Sequence, residues 1–349
     1  MANFDLANLA LKATCPSNKI ILDNQGLPSV MVRIPKFKMS DVLKGGSDST
    51  HPAFIINGKE VDEIYISKYQ NIKHDGRAYS LPGEDPANYI TFDQAREACA
   101  AKGKGWHLMT NAEWAAIALW CNKHGLAPKG NNNYGKDYRE DGYQAIPADS
   151  DSDGVRRVLT GTGPETWSHN GQRDGIWDLN GNVWEWVGGF RLVKGEIQVL
   201  KDNDAADTTN SQSESSTCWK AIDKNGKYVE PGSKDTLKID IPNGGSIKLS
   251  TTISRENGDS DWPSQQFKDI TTEDGLSVPE IVKALLIYPE EGYDGDGRFY
   301  ARNSDSERVA SRGGDRYDGS DAGVSSASMN RGRTSSGWNL GFRSAFVKL

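Results

Sequence analysis

Apolar positions along the chain fall into two kinds of run. Val30 to Phe37 is β-branched and alternating, and Glu63 to Tyr69 repeats the pattern, so both predict strands. Two other stretches have helical spacing. Thr91-Phe92-Asp93-Gln94 is a capping box, and Phe92, Ala95 and Cys99 then recur on one face. Thr110-Asn111-Ala112-Glu113 is a second box, followed by Trp114, Ile117, Ala118 and Cys121, with His124-Gly125 as the stop. Residues 3–13 predict a short helix. From Gly130 to Thr166 the chain is rich in Gly, Asn and Asp, which predicts ordered loops. Beyond Phe190, Arg191 to Leu200 predicts a hairpin turning at Lys194-Gly195, and the polar residues 201–217 predict a mobile loop. A strand is expected at Leu237 to Ile241 and a short helix at Val278 to Leu286. The change of character marks 191–296 as an insertion in a domain spanning 28–349, preceded by an N-terminal segment, 1–27.

Composition narrows the function classes. The chain has 349 residues with 37 Gly and 10 Trp, and seven of those Trp lie between Trp106 and Trp186. Each indole needs a large apolar surface and an acceptor for its N–H, so such clustering predicts a core built from irregular segments. The net charge of −7 leaves no basic surface to neutralise phosphates, which argues against a nucleic-acid partner. No apolar run reaches the length of a membrane span. The start, Met-Ala-Asn-Phe-Asp-Leu, lacks a basic stretch followed by an apolar one, so no secretory signal is expected. Cys15, Cys99, Cys121 and Cys218 form no C-x-x-C pair and are read as free thiols.

Motifs for chemistry are nearly absent. His51, His74, His107, His124 and His169 form no H-x-x-x-H pair, and no nucleophile elbow or phosphate loop occurs. Gly161-Thr162-Gly163 lacks the third glycine and preceding strand of a dinucleotide fingerprint, so it reads as a turn. Asp149-Ser150-Asp151-Ser152-Asp153-Gly154 opens like a calcium loop, but position twelve is Thr160 rather than Glu; a solvated acidic loop is the expectation. Read for chemistry, the chain is non-catalytic.

One signature stands out. Asp178-Leu179-Asn180-Gly181-Asn182-Val183-Trp184-Glu185-Trp186 resembles the central motif of the formylglycine-generating-enzyme (sulfatase-modifying factor) family. Ser29 to Met39 and Ile64 to Tyr69 resemble its opening strands. Thr91 to Trp114 resembles its helix, turn and second helix start, and Arg312-Gly313-Gly314 and Gly341-Phe342-Arg343 its closing motifs. The resemblance covers residues 28–190 and 296–349. It implies an α+β, C-type-lectin-like fold of the formylglycine-generating-enzyme subtype, here with a large insertion. Trp184 and Trp186, at strand spacing, are expected to point inward together, and Arg343 and Glu185 are candidates for a buried ion pair. The resemblance also implies a structural calcium site at positions matching Asp178, Gly181, Val183 and Glu185; no cofactor is otherwise required.

Family resemblance alone leaves the function open. The oxidase branch uses cysteines of its C-terminal segment, but no Cys follows Cys218 here. Calcium-dependent lectins use Glu-Pro-Asn or Gln-Pro-Asp with Trp-Asn-Asp, none of which occurs. Ser311 to Arg343 instead resembles the variable region of diversity-generating-retroelement target proteins of phages and bacteria. Such elements mutate template adenines, so an AAY codon yields many residues but never Lys, Glu, Gln or Trp. Between Arg312 and Gly337 those four are absent. The mix of Asp, Arg, Tyr, Gly, Ser, Asn and Thr there is that of an adaptable paratope, with Val324 and Met329 expected to point inward. The expected function is a non-catalytic, hypervariable receptor-binding protein. Asp315, Tyr317, Asp318, Ser326, Ser328, Asn330, Arg331, Ser335 and Gly337 are expected to form one exposed ligand-binding surface. The ligand would be a protein or glycan, on a host-cell surface for example. The location implied is a virion (a phage tail) or the cytoplasm as synthesised, with the bacterial surface a further option. The alternatives are a formylglycine-generating oxidase and a calcium-dependent lectin.

Overall fold

The computed structural model describes residues 3–142, 145–242, 245–257, 261–304 and 306–349. The predicted helices form where expected. Thr91 Oγ1 accepts from Gln94 N and Gln94 Oε1 from Thr91 N, opening the helix Phe92–Ala100. Thr110 and Glu113 do the same for Asn111–Lys123. This second helix is buried on nearly every side from Asn111 to Leu119, which makes it the central post of the molecule. The N-terminal helix runs Asn3–Thr14.

Two sheets pack around these helices. A five-stranded sheet has the order Asn18–Leu22, Pro28–Pro35, Glu63–Ser67, Ser344–Phe346, Trp106–Leu108. Its C-terminal strand slots between two early ones, so both ends of the domain are fixed in one layer. Among the described residues, a second sheet of twelve strands is centred on Trp184–Val193, Arg308–Gly313, Gly323–Arg331 and Arg298–Ala301. Trp184 and Trp186 point together into a cluster with Phe92, Cys99 and Phe342, as their alternation predicts.

Residues 191–296 are woven into this large sheet. Arg191 to Leu200 makes the expected hairpin, and Lys238–Asp240 and the short helix Glu280–Ala284 fall where predicted. Ile197, Ile239, Leu249, Phe267 and Val282 join the same core as Trp114 and Ile117.

Two loop expectations are corrected. Residues 201–217 are pinned rather than mobile. Ala205 and Ala206 are buried, Gly189 N donates to Gln212 Oε1 (2.8 Å), and Trp219 Nε1 donates to Ser213 O (2.9 Å). Polar bonds to neighbouring strands fix this stretch in place of apolar burial, which composition alone does not report. The acidic run at 149–154 is solvated, as expected, but forms a hairpin rather than a loop, Pro147–Asp151 with Gly154–Val158, whose aspartates pair with Arg156, Arg157 and Arg316.

Candidate ligand-binding site

The closing region leaves the sheet at Gly313 and Gly314, both at positive φ. A Cβ on Gly314 would lie 2.6 Å from Ala322 Cβ, so only glycine lets the chain loop out and return. It returns as the strand Gly323–Arg331, with Arg308–Gly313 antiparallel on one side and Arg298–Ala301 parallel on the other. Ala327 and Met329 enter the main core, as does Val324, whose carbonyl accepts from Trp114 Nε1 at 2.7 Å. Ser326, Ser328 and Asn330 alternate onto the opposite face. Ser328 stands opposite Tyr300, which packs edge-on against Trp184.

Above that face sits the loop 315–321. Asp315 Oδ2 accepts from Asn339 Nδ2 (2.6 Å), and Asp318 Oδ2 accepts from Asp315 N (2.7 Å). Asp315, Tyr317, Asp318 and Arg331 lie within electrostatic reach of one another, and Tyr300 feels both aspartates. Burial raises the Asp315 carboxyl above its ordinary range. It raises Asp318 much further, with the Asp315 charge adding to it. Burial, then Asp315, pushes Tyr317 up to about 12. Arg331 is lowered by burial, and no hydrogen bond or ion pair engages its guanidinium among the described residues.

Seven of the nine expected residues therefore fall on the loop 315–321 and the strand Gly323–Arg331, the cup of this site. There Asp315, Tyr317, Asp318 and Arg331 are close enough to interact electrostatically. The expectation that all are exposed is corrected. Tyr317 is 54% exposed, and Asp318 and Arg331 are half-buried, but Asp315, Ser326, Ser328 and Asn330 are buried. The reason is topological: the strand has a hydrogen-bonded neighbour on each side, which covers its short side chains. Ser335 and Gly337 lie on the next loop, whose end reaches the cup through Trp338 and Asn339. Arg333 pins that loop through Glu307 and Asp93, and Gly337 O accepts from Tyr89 N. Gly337 does not need the left-handed region; an added Cβ would meet only Asn339 Oδ1, at 3.1 Å.

Sequence reasoning passed over several residues of this site. Arg316 grips Asp151 with two bonds (3.0 and 2.8 Å) and lies between the rings of Tyr134 and Trp338, 5.1 and 4.8 Å from their centroids. Trp338 in turn meets Tyr317. A Trp cannot come from an AAY codon, so Trp338 was recognisable as lying outside the expected variable set. Tyr300 carried no such signal, because it joins the cup only through strand pairing.

The predicted metal ligands do converge, but on a protein atom. The carbonyls of Asp178, Gly181 and Val183 and the carboxylate of Glu185 all surround Gln70 Nε2, at 3.0–3.4 Å. Those distances suit N–H···O bonds and exceed the 2.3–2.6 Å of calcium–oxygen contacts. As arranged here, these residues do not fit a calcium ion. Glu185 is neutralised by Arg343, the expected buried pair, which also donates to the carbonyls of Ser67 and Trp177. For thiol chemistry, Cys15, Cys99 and Cys121 are buried, and burial pushes the Cys99 and Cys121 thiols up, away from reactivity.

The sequence profile of the Sulfatase-modifying factor enzyme 1-like domain matches residues 11–232. The chain belongs to this family. The matched stretch begins within the expected N-terminal segment and continues into the expected insertion. Among solved structures, the chain is similar to Treponema denticola variable protein 1, with 13% identity, a TM-score of 0.37, and coverage of 95% of this chain and 99% of that one. It is similar to PvdO from Pseudomonas aeruginosa at 16% identity and a TM-score of 0.31, covering 94% and 97%. The U1 variant of the Major Tropism Determinant follows at 11% identity and 0.32, covering 94% and 71%. No curated protein matches the sequence. No helix among the described residues is long and apolar enough to cross a membrane.

Proposed function

We propose that this family member is a non-catalytic ligand-binding protein whose cup, between the 315–321 loop and the strand 323–331, recognises a receptor and is diversified by a retroelement. One observation carries the reading. Seven positions whose identities are all reachable from AAY codons share one loop and the strand that follows it, while Val324, Ala327 and Met329 of that strand build the core. Variation at the first set changes what is displayed and spares what holds the fold. The neighbouring DNA tests this directly. A reverse-transcriptase gene and a near-copy of codons 311–343, differing mainly at adenines, are expected; a locus lacking both sinks the diversification reading. The receptor is a protein or glycan, and display on a virion fits a tropism role.

Family membership supports one rival, the formylglycine-generating oxidase. Incubation with copper, oxygen and a Cys-containing peptide decides between them. No aldehyde above a protein-free control is expected, because the segment after Cys218 has no thiol to attack substrate.

A further inference from the structure

We infer that the side-chain amide of Gln70 stands where a cation would otherwise hold the signature loop together, so that this fold is locked without metal and carries a latent cation site. The loop is built to point oxygens at one place. Asp178, Gly181 and Asn182 all adopt positive φ, which turns the carbonyls of Asp178, Gly181 and Val183 inward together with Glu185 Oε1. A Cβ on Gly181 would lie 2.2 Å from Asn131 O, so the wrap admits no larger residue. Four acceptors facing one point need a positive centre. Gln70 Nε2 supplies it with two hydrogens shared among four oxygens.

The orientation of the amide is fixed from its other side. Gln70 Oε1 accepts from Asn182 Nδ2 at 2.8 Å, and Asn182 Oδ1 accepts from Val158 N at 2.9 Å and Asn131 Nδ2 at 3.1 Å. A flipped amide would set oxygen against four oxygens, so the network allows one assignment. Charge is settled as well, since Arg343 binds both oxygens of Glu185. One buried atom stays unserved: Asp178 Oδ1 has no hydrogen-bond donor.

Substitution at Gln70 separates this from ordinary packing. For the unaltered protein, the melting temperature should be the same in excess EDTA and in calcium, and terbium should give no luminescence sensitised by Trp177 and Trp184. Gln70→Ala removes the amide and leaves the oxygens facing a void. Its melting temperature should fall by several degrees in EDTA and recover partly in calcium, with terbium luminescence appearing. Should Gln70→Ala fail to fold, Gln70→Glu keeps the volume and adds a carboxylate among the oxygens. It should be stable only with calcium or terbium present. Stoichiometric calcium binding by the unaltered protein, or a loss of its stability in EDTA, overturns the inference. So does the absence of any calcium response in the variants.

Discussion

The signature segment 178–186 and the strand 323–331 lie in the same sheet, one strand apart, and both are buried, yet they are built on opposite principles. The signature uses large side chains and matches most of their polar groups, Asp178 Oδ1 being the exception. Trp186 Nε1 reaches Ile90 O at 3.0 Å, Glu185 meets Arg343, and Asn182 bonds on both sides of its amide. The strand 323–331 uses small side chains and leaves polar atoms unmatched. Among the described residues, Asn330 Oδ1 is buried without a hydrogen-bond partner, as is Ser311 Oγ on the adjoining strand, and Arg331 has no ion pair. Satisfied groups rigidify, whereas unsatisfied ones are costly to bury. Burial by itself therefore does not separate the two regions; side-chain size and the share of matched polar groups do.

The comparison breaks first at Trp186. Trp186→Ala removes a fully buried ring that packs edge-on against Phe92, and should cost about 3–5 kcal/mol in urea denaturation. An equal cost at Tyr317 would erase the distinction. Next, Asp315→Ala strips the acceptor from Asn339 Nδ2 and Tyr317 N, and should cost about 1–3 kcal/mol although it lies in the varied region. Cost near zero there would mean that the cup wall is as free as its rim.

The acid pair gives a pH test. Asp315 and Asp318 are both raised in the folded state above the ordinary 3.8, through burial first. The folded protein then holds protons that the unfolded chain has released. This contribution is fully present below the unfolded value and is lost as pH rises through the folded one. Asp318→Asn should flatten that decline, making the variant the more stable partner at neutral pH. Parallel stability–pH curves for the two proteins would refute the shift. The smallest effect is expected at the rim. Tyr317→Ser and Arg331→Ser should each stay within about 0.5 kcal/mol, as should Gly337→Ala, while ligand binding changes at Tyr317 and Arg331.

Much of this contrast was legible in the residues. Two capping boxes placed two helices, since their chemistry is local and complete within four residues. Alternation placed Trp184 and Trp186 on one face, and Arg343 was paired with Glu185 because a buried charge demands a partner. The exposure of the expected binding positions was misjudged: composition says which side chains are small and polar, but not that neighbours on both sides would cover them.

The sequence by itself determined the local elements, the family signature and which closing positions lack core-forming side chains, because each depends on neighbours a few residues apart. Only the tertiary structure decided that Ser326, Ser328 and Asn330 are buried, and that Tyr300 meets Ser328 from another strand. Only it brought Gln70 into the signature loop, more than a hundred residues away along the chain. Strand order and long-range hydrogen bonds are set by how the whole chain buries its apolar surface, and no local pattern encodes that choice.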